Sequence, residues 1–468
     1  MAKPPLLNLG AWRTIDGAGG GDALLLPATH LVTHGVVVGM TGSGKTGFIT
    51  VLVEEALRNQ IPTIVIDVKG DLPNLLLSFP SFEPALFAPW VEGAGPDAPA
   101  EVTLEAARKV ADERRILLGQ WSIGEPELRS FYESTEVRVL TPGVAAGELL
   151  HVLSPLEQRS ARWDTDPDSA RQALSAAVSL VLRLLGRDPD PARSREHVLL
   201  SVLAERRLLS GQNAELSALM RDVVEPPVSE IGALPVNSFL RKSERNKLAA
   251  ALNTLLASPT FASWRQGAPL DVASWVKPKR GRTPCVIVSV AHLDDEERAL
   301  VLGVLLEEIL SWVRGLRGST QLRALLVFDE VYGFLPPHPA NPPTKRPLVS
   351  LMKQARAFGV GVVVATQNPM DLDYRALSNA GLWSLGRLQT DADRERVLDG
   401  LNLSDQARNT SPDFDQTLKR LAPRWFVVQN AHAKSGALLV QPRYAMSLMR
   451  GPMTRTEIRS ALEARARS

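Results

Sequence analysis

The stretch Gly39-Met40-Thr41-Gly42-Ser43-Gly44-Lys45-Thr46 most narrows what this chain can fold into. It matches G-x-x-x-x-G-K-[ST] in full. The β-branched run Val36–Val38 precedes it, and ITVLVEEAL follows it with apolar residues at helical spacing. Strand, glycine loop and helix in that order predict a parallel α/β sheet with a phosphate-cradling loop at a strand tip. Gly39, Gly42 and Gly44 free the backbone to aim successive N–H groups inward. Thr41, Ser43 and Gly47 complete the cradle around a polyphosphate. Lys45 is placed to reach β- and γ-phosphates, and the Thr46 hydroxyl to ligate Mg²⁺. The pattern therefore implies binding of a nucleoside triphosphate, with ATP and Mg²⁺ as the expected pair.

Two further strand ends carry chemistry. In LRALLVFDEVYGF, the apolar residues Leu325–Phe328 deliver Asp329 and Glu330 to the tip of a buried strand. Ligands sit at such tips in open α/β sheets. Asp329 fits a metal-binding carboxylate and Glu330 a base that polarises an attacking water. In VVVATQNP, a buried run ends in Thr366, Gln367 and Asn368, and Gln367 can sense the γ-phosphate or orient water. The run IPTIVIDVKGD predicts another buried strand ending in a loop with Asp67 and Asp71.

The remaining sequence sets organisation. Residues 1–71 hold an N-terminal segment and the first part of the core. Residues 72–282 read as a mostly helical insertion, with EVRVLTP as one short strand inside it. Residues 283–445 resume the core, and 446–468 read as a basic C-terminal helix. About 30 residues precede the glycine loop, enough for a strand or hairpin. Cys285 is the only cysteine, which excludes an internal disulfide framework and cysteine-cluster metal sites; it sits in CVIVSV and reads as core. No uninterrupted apolar span is long enough for a membrane helix, so a cytoplasmic protein that does not engage a membrane is expected. Net charge is only +2, but it is unevenly spread. Residues 71–150 carry 6 Lys/Arg against 13 Asp/Glu, whereas residues 387–468 carry 14 against 9, which suggests faces of opposite sign.

The stretches GMTGSGKTG, LLVFDEVYGFLPP, KQARAFGVGVVVATQNPMDLDYRALSNAG and GRLQTDADRERVLDGL together resemble the HerA/FtsK group of P-loop ATPases, most of all bacterial HerA-like ATP-binding proteins. The resemblance runs from about residue 31 to 456. It implies a RecA-like ASCE core with a mainly parallel sheet, ATP hydrolysis, and a homo-oligomeric ring, as a hexamer. In such rings a neighbour's arginine completes the site. Arg356 in KQARAFG and Arg387 in SLGRLQT match arginines the group places near the interface, and either could act in trans. Arg394 and Arg396 read as solvated helix-face residues. The loop DVKGD stands where the group more commonly has Asp-Pro-His-Gly-Glu. The function implied is an ATP-driven, helicase-like DNA translocase that grips duplex DNA through its backbone, without sequence preference. RKSERNK (residues 241–247) and VKPKRGR (residues 276–282) are candidate gripping elements. Two alternatives stay open. One is an ATPase scaffold in a defence or repair complex whose partner is a separate nuclease or effector. The other is a protein-translocating ATPase of the secretion type.

Overall fold

The computed structural model of the chain describes residues 4–15, 19–93, 99–367, 372–378, 380–388, 390–400, 413–433 and 436–467. Among them, eleven strands form one sheet. In chain order these are β1 (Leu6–Thr14), β2 (Gly20–Pro27), β3 (Gly35–Val38), β4 (Thr63–Asp67), β5 (Thr135–Leu140) and β6 (Thr283–Ser289). They continue with β7 (Ala324–Asp329), β8 (Val360–Thr366), β9 (Leu382–Leu385), β10 (Phe426–Asn430) and β11 (Leu438–Pro442). Across the sheet the order is β2-β1-β11-β10-β9-β3-β8-β7-β4-β6-β5. From β9 to β5 all neighbours run parallel, while β10, β11, β1 and β2 add antiparallel pairs at one edge. The β1–β2 hairpin is what the segment before the glycine loop forms.

The parallel strands read as near-continuous apolar runs because both of their faces are covered. Alternate side chains serve different layers. Val36, Val38, Ile64, Ile66, Val286, Val288 and Phe328 face one core. Val37, Val65, Cys285, Ile287 and Val327 face the other. Cys285 is fully buried, and burial pushes its thiol up to about 12, so it behaves as a small apolar side chain.

Residues 72–282 divide between the two faces because β5 enters the sheet midway and pairs with β6. Before β5, Leu72, Leu75, Phe87 and Phe131 pack in the same core as Phe48 and Leu52 of α1 (Lys45–Arg58). After β5, residues such as Leu174, Leu203, Leu252 and Trp275 pack on the opposite face. There α2 (Pro167–Leu184) lies along α3 (Asp295–Arg314). Both helices begin with a satisfied cap: Asp166 accepts from the Ser169 amide, and Asp294 from those of Glu296 and Glu297. Each fully buried leucine contributes about 1.5–3 kcal/mol, so the two-faced burial dominates stability.

The C-terminal helix α4 (Arg455–Arg467) is docked rather than free. Arg465 donates to the carbonyls of Leu75 and Leu76 and to Ser78 Oγ, and stacks over Tyr132. Asn74 Nδ2 donates to the Gly451 carbonyl at 2.7 Å. No helix among the described residues is long and apolar enough to cross a membrane.

Candidate active site at the strand tips

The parallel strands all end on one side of the sheet, and their tips make the site. β8 lies between β3 and β7, so the strand carrying Gln367 separates the glycine loop from Asp329. Gly39 N–H donates to the Thr366 carbonyl at 3.2 Å, joining loop to β8. Gly42 and Gly44 have φ of 80° and 92°, which a side chain would strain. Gly44 is also the cap residue of α1, so the loop runs directly into the helix N-terminus.

Lys45 is buried, with 3% of its side chain exposed. Its Nζ lies 2.7 Å from Asp329 Oδ1 and 3.6 Å from Glu330 Oε2. Asp329 is fully buried, and its second oxygen has no hydrogen-bond partner. A buried carboxylate oxygen left open beside the start of α1, where Thr46 stands, fits a Mg²⁺ ligand set with a triphosphate on the loop. Thr41 Oγ1 donates to Gln367 Oε1 at 3.0 Å, so Gln367 spans from β8 to the glycine loop.

Glu330 sits at φ 65°, in the left-handed region that a glutamate occupies only at a cost. Oε1 accepts from Thr366 Oγ1 at 3.0 Å and from the Gln367 amide at 3.1 Å. Oε2 accepts from Lys69 Nζ at 2.6 Å. Burial alone would raise its pKa; Lys45, Lys69 and the Gln367 amide outweigh burial and hold Glu330 below the ordinary glutamate value. The structure therefore brings together Lys45, Asp329, Glu330 and Gln367, together with the whole glycine loop.

Asp67 joins this group from β4. It stands in register with Asp329 on one side and Ser289 on the other. Its Oδ2 accepts from Ser289 Oγ at 2.7 Å and its Oδ1 from the Gly70 amide at 2.9 Å. Burial pushes its pKa up to about 7; the Ser289 hydroxyl opposes this and the charge of Asp329 adds to it. Asp71 is half-buried and also shifted upward, by burial first and Asp329 second.

The two candidate arginines lie at opposite ends of the sheet, and both are exposed. The carbonyl of Arg387 accepts from the Met40 amide at 3.0 Å, so Arg387 borders the glycine loop of its own chain. Arg356 precedes β8. The seven residues of that strand place it roughly 20 Å from Gln367, at about 3.3 Å per residue. Its neighbour there is His34, which is buried and held down to about 4 by burial, with the charge of Arg356 adding.

Some residues depart from their expected roles. Arg394 is buried and paired with Asp391, not solvated, while Arg396 is exposed as expected. Arg245, inside RKSERNK, is buried and donates to the carbonyls of Val223 and Leu240 and to Asn237 Oδ1, so it braces the insertion instead of facing a ligand. Lys277, Lys279, Arg280 and Arg282 form an exposed turn before β6, as a gripping element requires. Asn368 lies outside the described residues. Two site residues carried no motif. Lys69 stands between Asp67 and Asp71, and its glycine-flanked position in DVKGD is the only hint. Arg424 donates its amide to the Ser43 carbonyl at 2.8 Å and stacks over Tyr444 at 3.5 Å, bracing the glycine loop from a distant part of the chain.

Comparison with known proteins agrees with this geometry. Residues 24–133 match the family model described as the central domain of the helicase HerA. The structure is similar to VirB4 of Thermoanaerobacter pseudethanolicus, with a TM-score of 0.53 at 14% identity, covering 95% of this chain and 97% of that one. It is also similar to the plasmid coupling protein TrwB in complex with the ATP analogue ADPNP, with a TM-score of 0.48 at 14% identity, covering 97% and 92%. No curated protein matches the chain. A complete glycine loop, a tip carboxylate pair with a polar strand between it and that loop, and the fold shared with VirB4 make this chain a P-loop ATPase, whose residues 24–133 are similar to the HerA central domain.

Proposed function

We propose that the chain is the subunit of a ring-shaped ATPase that moves duplex DNA. The observation that carries this reading is the opposite placement of Lys45 and Arg356. A head-to-tail ring joins unlike ends of identical subunits. It sets the Arg356 end of one subunit against the strand tips of the next. Arg356 then supplies the trans cation, while Arg387, bound through its carbonyl to Met40, stays with its own glycine loop. A hexamer is the ring size the HerA/FtsK resemblance implies.

The chemistry follows from the side chains. Lys45 leaves Asp329 to meet the β- and γ-phosphates, and the loop amides hold the rest of the polyphosphate. Mg²⁺, held by Thr46 and Asp329 when bound, neutralises charge on the phosphoryl oxygens. Glu330 takes a proton from water as the water oxygen bonds to the γ-phosphorus and the bond to the β–γ bridging oxygen breaks. Gln367 orients that water, and Arg356 of the neighbouring subunit meets the charge that develops. Exposed basic turns such as residues 277–282 would hold the DNA backbone. Those contacts depend on phosphate charge and read little sequence.

Two measurements test the reading. Duplex DNA should raise the ATPase rate at low salt, and the gain should fade as salt rises. Separately, Arg356→Ala and Glu330→Gln chains, each inactive alone, should recover activity when mixed. Such rings contain sites with one subunit's Glu330 and another's Arg356. No recovery on mixing, or full activity in a monomer, would overturn the ring. Indifference to DNA would return weight to the scaffold or protein-translocating alternatives.

A further inference from the structure

We propose that Lys69 is a positioning residue that restrains Glu330 and so holds down the basal rate of hydrolysis. This rests on reading the strand tips as an ATP-hydrolysing centre. Lys69 Nζ lies 2.6 Å from Glu330 Oε2, a charge-assisted contact, and Lys45 Nζ stands 3.6 Å from the same oxygen. The other oxygen is occupied by the Thr366 hydroxyl and the Gln367 amide. Both oxygens of the carboxylate are thus committed to donors. Three of its four lone-pair sites are then taken, and Lys69 covers the one oxygen not already tied to β8.

The loop that carries Lys69 is fixed on both sides of it. The Gly70 amide donates to Asp67 Oδ1, and the Gly70 carbonyl accepts from the Met453 amide at 2.9 Å. Gly70 has φ 88°, which sets the turn. The backbone is therefore anchored, while the Lys69 side chain is 30% exposed and is the part free to swing. Lys45, in contrast, is 3% exposed and pairs with Asp329 at 2.7 Å. When Lys69 swings away, Glu330 keeps its Thr366 and Gln367 contacts and regains one open oxygen.

The test is the steady-state ATPase of the full chain bearing Lys69→Met, which keeps the alkyl stem and removes the charge. A partly exposed charge-assisted contact leads us to expect kcat to rise by about three- to tenfold. KM for ATP should stay within about twofold, because Lys69 contacts the base and not the phosphate loop. Lys69→Arg should keep the low basal rate. In a Glu330→Gln background, Lys69→Met should leave the residual rate unaltered. Lys69→Gln serves as a second variant should the methionine chain fold poorly, with the same rise expected. An unchanged or lower kcat in the methionine and glutamine variants, with wild-type turnover intact, would overturn the restraint. No ATP turnover by the wild-type chain in any assembly state would instead overturn the reading of the site itself.

Discussion

Replacing Arg443 by methionine tests what holds the phosphate-binding helix to the sheet. Arg443 is 1% exposed and lies just beyond β11. Its Nη1 donates to Glu54 Oε2 at 2.8 Å and its Nη2 to Glu55 Oε1 at 2.9 Å, both on α1. Breaking a buried ion pair by removing one partner costs about 3–5 kcal/mol, because the other charge stays buried. Here the survivors keep other donors. Glu54 retains the Met446 amide, the Ser447 amide and the Ser447 hydroxyl, all within 2.9 Å. Glu55 retains the Asn8 amide and Arg58. The loss should therefore fall near the low end, about 3 kcal/mol, with methionine keeping most of the stem packing. Urea unfolding followed by tryptophan fluorescence measures it, as a lower midpoint at unchanged slope. Adding Glu54→Gln removes the stranded charge, so the double variant should lose less than the two singles together. A loss under about 1 kcal/mol for Arg443→Met, or strict additivity of the pair, would refute the account of a buried charge network.

Other perturbations read different parts of the molecule. Glu330→Gln should keep nucleotide binding and lose turnover by about 10²–10⁴-fold, measured by binding of a fluorescent ATP analogue beside phosphate release. Gly44→Ala should weaken that binding by about tenfold, since the site has φ 92° and the added carbon would lie 3.0 Å from Arg424 Cγ and 3.1 Å from its Cα. His34 gives a pH signature. Its folded pKa of about 4 lies below the unfolded 6.5, so the unfolded chain binds the extra proton between those values and stability falls as pH drops through that window. The shift corresponds to about 3 kcal/mol. His34→Asn, which tolerates the native φ of 68°, should flatten this part of the pH–stability curve.

The glycine loop, Asp329, Glu330 and Gln367 were legible because each ends an apolar, β-branched run whose period and length fix a buried strand. The tips of parallel strands converge, so their polar ends had to meet. The alternating parallel core was legible for the same reason. The split of the insertion was not. EVRVLTP reads as a strand, but only its pairing with β6 shows that it carries the chain from one face of the sheet to the other. Arg245 and Arg394 misled because helix-face arginines are usually solvated: Arg245 is buried against a carbonyl 22 residues away, and Arg394 is buried although its partner Asp391, three residues before it, is itself exposed. Lys69 and Arg424 act through contacts hundreds of residues away, at Glu330 and at Ser43, which no local pattern encodes.

The two ends of the molecule are joined by the same pair of strands. β3 begins beside His34 and ends in the glycine loop. β8 begins after Arg356 and ends at Thr366 and Gln367. They pair in parallel through Val363–Gly35 to Thr366–Val38, with both faces buried, and the Val362 amide donates to His34 Nδ1 at 3.1 Å where they start. A packed, two-sided parallel pair resists stretching and shear, because any slip breaks ladder bonds and exposes apolar surface together. On the proposed ring, Arg356 and the strand tips of one subunit therefore move as one body. Inserting Arg356 into a neighbour's site and withdrawing it requires rotation of whole subunits, not bending within one. On that proposal, such rotation is the motion that would be transmitted to DNA held at the ring's centre.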